Sequence, residues 1–230
     1  GKKTGFTLKR EETGNIDYSY QIEAATAGYG QGITTTPIQH IQALTALTND
    51  GIMLKPYIVD RIVDSDTKKI ITKNERQEEG QIVSTDTVAK MKELMASVVN
   101  GTKETSTGSA YYMDGYSLIG KTGTAQIFDY SKGEYMKGDS DYIYSFSGIF
   151  PEKNPKIILY AAIKRPKDTT NYLAPMIKEV EQNITKYLNI EDTTKEKESY
   201  KVESYYNKDT NSTKAKLESK NIKVLTLGTG

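Results

Sequence analysis

Apolar residues recur at helical spacing between Thr34 and Gly51, where Ile38, Ile41, Leu44 and Leu47 form one stripe. Thr36 before Pro37 supplies an N-cap and a first-turn proline, and Asn49-Asp50-Gly51 supplies a stop, so the pattern predicts a buried helix. Pro56 to Lys73 changes to strand-like alternation around the polar turn Asp64-Ser65-Asp66-Thr67, which predicts a hairpin with Tyr57-Ile58-Val59 and Ile70-Ile71 as its arms. Ser84 and Thr85 open a second helix whose stripe carries Val88, Met91, Leu94, Met95 and Val98 before Asn100-Gly101 closes it. Three strand-like runs follow, Ser117 to Phe128, Tyr142 to Phe150 and Lys156 to Ile163, and they read as an antiparallel meander. Asn171 to Leu188 then shows Ala174, Ile177, Val180, Ile184, Tyr187 and Leu188 on one face of a helix suited to cover that sheet. Helices laid on an antiparallel sheet define an α+β fold.

Charged and hydroxyl residues dominate from Glu191 to Ser199, which predicts a linker after a main domain spanning 1–190. The remaining stretch, 200–230, reads as a strand at Tyr200 to Glu203, a small helix at Ser212 to Ser219 and a strand at Ile222 to Leu227. So short a piece cannot bury a core alone. A formal net charge of +1 gives nothing that draws nucleic acid or an anionic membrane by bulk electrostatics. Cysteine is absent, which removes disulfides, thiolate nucleophiles and the usual zinc clusters. No apolar run approaches the ~20 residues of a membrane-spanning helix. The start at Gly1 has neither an initiating Met nor a signal-peptide core, so the chain is expected to be a piece of something longer.

The chemistry concentrates in Gly120-Lys121-Thr122-Gly123-Thr124-Ala125-Gln126. On a strand, alternation puts Lys121, Gly123 and Ala125 on one face and Thr122, Thr124 and Gln126 on the other; which hydroxyl turns inward is left open. At a sheet edge this run offers an ammonium, two hydroxyls, unpaired amides and, at Gly123, room for close approach. That set suits a carboxylate and an oxyanion. Gly115 to Thr122 also spells a phosphate-binding loop, but strand-like residues follow Lys121 where that motif needs a helix. The only histidine, His40, sits one residue from the helical stripe and is expected on the helix surface, with no metal site and no cofactor.

Gly120 to Gln126 followed by Tyr144-Ser145-Phe146-Ser147-Gly148-Ile149-Phe150-Pro151 resembles the third signature strand and its neighbour in class B penicillin-binding proteins. Gly28-Tyr29-Gly30-Gln31-Gly32, Thr36-Pro37, Gln39, Asn49-Asp50-Gly51 and Lys55-Pro56 extend the likeness to about Ile190, and the tail from Tyr200 resembles the first half of a PASTA module. The resemblance implies a penicillin-binding, serine β-lactamase-like transpeptidase fold, of which this is the C-terminal part. It implies a parent enzyme that cross-links stem peptides ending in D-Ala-D-Ala, is acylated by β-lactams and lies on the outer face of a bacterial membrane, anchored by an N-terminal segment. The division or elongation machinery is implied as a partner. Carried over by position, Lys121 supplies electrostatics, the Thr124 N–H one oxyanion donor, and Thr122, Gly123, Thr124 and Gln126 the substrate contacts, with Tyr116 bordering the cleft.

The family's nucleophilic Ser-x-x-Lys and its Ser-x-Asn motif precede the equivalent of Gly1, so this chain is expected to lack both and to be inactive without the N-terminal remainder. Ser65-Asp66-Thr67-Lys68 imitates the first and reads as a turn; Ser219-Lys220-Asn221 imitates the second in the wrong order. Lys3-Thr4-Gly5 duplicates the strand tripeptide and resembles a family loop leading to Glu11 and Gly14. A serine β-lactamase or β-lactam sensor and a non-catalytic cell-wall peptide binder are the alternatives.

Overall fold

The computed structural model describes residues 1–6, 10–102, 104–167, 173–191 and 209–219. The chain divides into two compact units, Gly1–Lys195 and Glu196–Gly230. The first runs α1 (Gln21–Ala27), α2 (Pro37–Thr48), β1 (Ile52–Leu54), β2 (Arg61–Val63), β3 (Ile70–Lys73), β4 (Glu78–Gln81), α3 (Thr85–Asn100), a 3-10 turn (Ser109–Tyr111), β5 (Ile119–Gln126), β6 (Phe128–Asp129), β7 (Glu134–Tyr135), β8 (Tyr142–Phe150), β9 (Ile157–Lys164) and α4 (Leu173–Tyr187). In the second, α5 (Thr210–Glu218) overlaps the expected small helix and is capped by the Asp209 carboxylate, which accepts the Ser212 N–H at 2.7 Å. The strands expected at 200–203 and 222–227 lie outside the described residues, as does most of the expected linker.

The predicted meander forms: β5 pairs with β8 and β8 with β9, all antiparallel, in the order β5-β8-β9. Alternation along these strands separates two cores. On one face, Phe146, Phe150 and the partly buried Leu159 and Ala161 pack with Tyr111, Leu173, Ala174 and Ile177, which brings α4 onto the sheet. On the other, Ile119, Ile149 and Ile158 meet Leu47 of α2 and Val88 and Met95 of α3. Gly120 and Gly148 stand opposite each other in the ladder, and the Phe146 ring, stacked on Tyr111 at 3.8 Å, lies where their side chains would be. The first glycine of the signature is therefore a packing requirement.

Helix α2 begins as its sequence dictates, with the Thr36 hydroxyl accepting the Gln39 N–H while Gln39 Oε1 accepts the Thr36 N–H at 2.8 Å. Only Gln42, Ala46 and Leu47 are buried in it, fewer than the apolar stripe suggests. His40 is half-buried rather than on an open surface. Its ring stacks on Tyr160 of β9 at 4.8 Å, its Nε2 lies 2.7 Å from the Thr35 hydroxyl, and burial lowers its pKa.

The hairpin forms around the expected turn, but its first arm is Arg61–Val63, and Tyr57-Ile58-Val59 lies outside it. The turn fixes this: Asp64 N–H donates to the Lys69 carbonyl at 2.9 Å, so pairing counts outward from 63 and 70. Met91 and Leu94 of the expected α3 stripe are exposed, with Val99 buried in their place. Val180 and Tyr187 of α4 and Leu188 just after it are exposed, whereas Glu181 and Thr185 are buried. The buried strip of each helix is narrower than its stripe of apolar letters implies. Helix α1, the β1–β4 ribbon and the β6–β7 hairpin carry no strong apolar period and were not expected.

Candidate functional site

Strand β5 is the outer strand of its sheet among the described residues, paired only with β8. In an antiparallel ladder the N–H and C=O of one residue point the same way, and successive residues alternate. The Ile127 N–H reaches the Asp141 carbonyl at 3.1 Å, in register with the β5–β8 pairing, so odd-numbered residues face β8. Thr122 and Thr124 consequently turn their amides and carbonyls to the open edge. The Lys121 ammonium occupies part of that edge, donating to the Thr122 carbonyl at 2.7 Å.

Side chains follow the complementary alternation. Lys121 pairs in register with Ser147 and Gly123 with Ser145, while Thr122 pairs with Phe146 and Thr124 with Tyr144. A Cβ at Gly123 would approach the Ser145 hydroxyl to 2.5 Å, which keeps this position bare on one face as well as at the edge. The Thr122 hydroxyl donates to the Thr107 hydroxyl at 3.0 Å, which comes from the loop after α3. The structure thus separates the two threonines left open by periodicity: Thr122 is tied to Thr107, and Thr124 is exposed.

Thr124 and Gln126 line a cleft of about 550 Å³ together with Thr26, Tyr29, Gln31 and Gly32 from the end of α1 and the loop after it, Tyr135 of β7 and Tyr142 of β8. Tyr116 is not among these residues; it packs against Phe150 at the margin of the core, 5.8 Å between rings. Leu118 and Ile119, which follow it closely, are fully buried. Thr107, Tyr135 and Tyr142 escaped the sequence reading, since nothing in the local pattern marks a residue whose role is set by another segment. The glycine-rich run around Tyr29 and Gln31 was the one visible signal.

The imitation motifs resolve differently. Ser65 sits in the β2–β3 turn, where Asp64 Oδ1 accepts the Thr67 N–H at 2.6 Å and its hydroxyl at 2.8 Å, holding the Asp64 carboxyl below the usual range. The Ser65 hydroxyl donates to the Asp66 carboxylate at 3.2 Å in an exposed turn, not at the start of a helix. Lys3-Thr4-Gly5 closes a loop: the Thr4 N–H and hydroxyl both donate to Glu11 Oε1, at 2.7 and 2.6 Å, and these bonds lower the Glu11 pKa. Lys220 and Asn221 lie outside the described residues. Lys121 stands inside a strand that continues to Gln126, which excludes the helix N-terminus a phosphate-binding loop requires. Among the described residues no group of three or more His, Asp or Glu side chains gathers as a metal site.

Residues 1–186 match the transpeptidase family described as the penicillin binding protein transpeptidase domain. Stage V sporulation protein D of Bacillus subtilis is 34% identical over 175 residues, which are 75% of this chain and 26% of that protein. The peptidoglycan D,D-transpeptidase FtsI homolog of Mesostigma viride is 32% identical over 155 residues, 64% of this chain and 25% of the relative. Among solved structures, penicillin binding protein 3 of Mycobacterium tuberculosis complexed with aztreonam superposes with a TM-score of 0.73 at 26% identity, over 82% of this chain and 44% of that one. The chain spans about a quarter of the length of these curated relatives.

Proposed function

The chain belongs to the penicillin-binding protein transpeptidase family, and we propose that it is the C-terminal part of a serine-type D,D-transpeptidase, the part that holds the anionic end of a stem peptide. The observation that carries this reading is the open edge of β5, where the outward amides of Thr122 and Thr124 stand beside the Lys121 ammonium and the Thr124 hydroxyl. A D-Ala-D-Ala end, or a β-lactam imitating it, lies along this edge as an added strand. Lys121 and the Thr124 hydroxyl neutralise and bind its carboxylate, the Thr122 hydroxyl joins them on giving up its bond to Thr107, Gly123 admits close approach, and Gln126 continues the contact. The Thr124 N–H stabilises the oxyanion that forms when the scissile carbonyl is attacked.

The attacking serine belongs to polypeptide bearing the Ser-x-x-Lys and Ser-x-Asn motifs. By itself the present chain forms no acyl-enzyme; completed by that polypeptide, on the outer face of a bacterial membrane, it does. Among the described residues no helix is long and apolar enough to cross a membrane; the anchor of the parent is proposed as an N-terminal segment. Division or elongation machinery is the partner expected of the parent. Residues 200–230 are proposed, from their sequence, as the beginning of a PASTA-like module after a linker at 191–199.

Incubation with a fluorescent penicillin followed by denaturing electrophoresis is expected to leave this chain unlabelled. Mixing it with the segment bearing Ser-x-x-Lys is expected to place the label on that segment. Covalent label on the present chain would overturn the assignment, and a binding-only protein would give label on neither. In the completed enzyme, Lys121→Ala is expected to lower the acylation rate by about 10²–10³-fold, the range for removing one group that stabilises developing negative charge. A loss under tenfold would show that the Lys121 ammonium is not what holds the anionic end for reaction.

A further inference from the structure

Thr107 is exposed, yet Ser106 and Gly108 on either side of it are buried and fixed. The Val98 carbonyl, in the last turn of α3, accepts both the Gly108 N–H at 3.0 Å and the Ser106 hydroxyl. Gly108 has no room for a side chain, since a Cβ there would lie 2.7 Å from the same carbonyl oxygen. Ser106 is held a second time, its N–H donating to the Thr102 carbonyl at 2.9 Å. The loop is therefore latched to α3 on both sides of one residue.

It is latched to the sheet as well. The Tyr111 N–H donates to the Gly108 carbonyl at 2.9 Å, and the Tyr111 ring stacks at 3.8 Å on Phe146, the register partner of Thr122. Thr107 and Thr122 thus come from different elements onto one shared support, and their hydroxyls meet at 3.0 Å. Being exposed, Thr107 adds little to the core; what the loop fixes in space is its hydroxyl.

We propose that Thr107 is a positioning residue for the carboxylate-binding hydroxyl of Thr122. The inference rests on the reading of β5 as the anchor for an anionic end. Each threonine hydroxyl has one proton to donate and two lone pairs that accept, and the proton turns about the C–O bond. In the free chain the Thr122 proton points to Thr107. When a carboxylate arrives, that proton turns to the stronger, charged acceptor, and the Thr107 proton turns to the Thr122 lone pair left facing it. A chain then runs from Thr107 through Thr122 to the carboxylate, and each bond polarises the next. Thr122 has a partner in both states, so its side chain keeps one orientation and binding does not have to order it. A residue that never touches the ligand thereby strengthens the contact that does.

The test is the second-order rate of acylation by a fluorescent penicillin in the completed enzyme, measured for Thr107→Val, Thr107→Ser, Thr122→Val and the double variant Thr107→Val with Thr122→Val. Thr107→Val keeps the shape of the residue and removes the hydroxyl, and is expected to lower the rate about fivefold, as for one neutral hydrogen bond. Thr107→Ser, which keeps the hydroxyl, is expected to stay within about twofold of the wild type. In the Thr122→Val background, Thr107→Val is expected to cause no further loss, because residues that act through one another are not additive. No loss in Thr107→Val, a serine variant as slow as the valine one, or a Thr107→Val loss that persists in full without the Thr122 hydroxyl each overturns the positioning role; a slow Thr122→Val leaves the anchor intact in all three cases. An unchanged rate in Thr122→Val overturns the use of that hydroxyl by the anchor and the positioning role with it.

Discussion

The first unit loses stability as the pH rises from about 5 to about 8, and Glu181→Gln removes most of that loss. Glu181 lies on the inner stripe of α4 with Ala174, Ile177 and Thr185, is fully buried, and among the described residues has no hydrogen-bond partner on either carboxylate oxygen. Burial pushes its pKa up from an ordinary carboxylate value to about 8, against a smaller opposing pull from Lys178. The folded state thus keeps a proton that the unfolded state releases near pH 4.5. Protonated Glu181 favours the native state below the unfolded value; the advantage shrinks through the interval and is gone once the pH passes the folded value. The slope approaches about 1 kcal/mol per pH unit, and the whole interval amounts to something on the order of 4 kcal/mol.

Other groups can be separated from this one by sign and by window. The carboxyls of Glu11, Asp64 and Asp129 are lowered by hydrogen bonds, so their contribution is present above the ordinary carboxylate range and is lost only in acid. His40 is lowered by burial, so its contribution falls as the pH drops below about 6.5, opposite in sign to Glu181. Urea midpoints by circular dichroism between pH 6.5 and 8.5 isolate the glutamate. A flat wild-type profile over that range, or an equal slope in Glu181→Gln, would falsify the assignment.

Gly51→Ala costs about 3 kcal/mol or more, whereas Gly80→Ala costs only about 1 kcal/mol, although both glycines have positive φ, at 93° and 103°. The difference is space. A Cβ on Gly51 collides with the Val83 carbonyl oxygen, a backbone atom that cannot rotate away, while around Gly80 nothing lies within 4 Å. Gly51 is also the crossing point of two elements: its N–H donates to the Ala46 carbonyl at 2.8 Å, ending α2, and its carbonyl accepts the Ile82 N–H at 2.9 Å, just after β4. Moving this backbone loosens the Leu47, Val88 and Met95 packing beneath β5. Thermal or urea unfolding of the two variants decides the matter, and equal losses would show that backbone strain alone governs both.

The candidate site was legible in the sequence to an uneven degree. The signature strand could be placed because Ile119 to Gln126 combines a strand pattern with glycines where side chains have no room, and the ladder in register bears that placement out. The family could be read from it and its flanks, and residues 1–186 match that family. A tyrosine beside a strand is equally suited to core and rim, and the contact of the Tyr116 ring with Phe150 was not visible in the sequence. Tyr135 and Tyr142 were invisible because each sits in an ordinary run of polar and aromatic letters.

Caps, stops and apolar periods act over a few residues, so the chain alone determined where α2 and α3 begin, which runs form the β5-β8-β9 meander, and that an ammonium and two threonines share one short strand. The tertiary structure alone decided which edge of that strand stays open, that Thr122 is held by Thr107 while Thr124 faces a neutral cleft, and that a glutamate is shut inside α4. Those outcomes depend on segments far apart in sequence meeting in space, and no local pattern of residues encodes the distance between them.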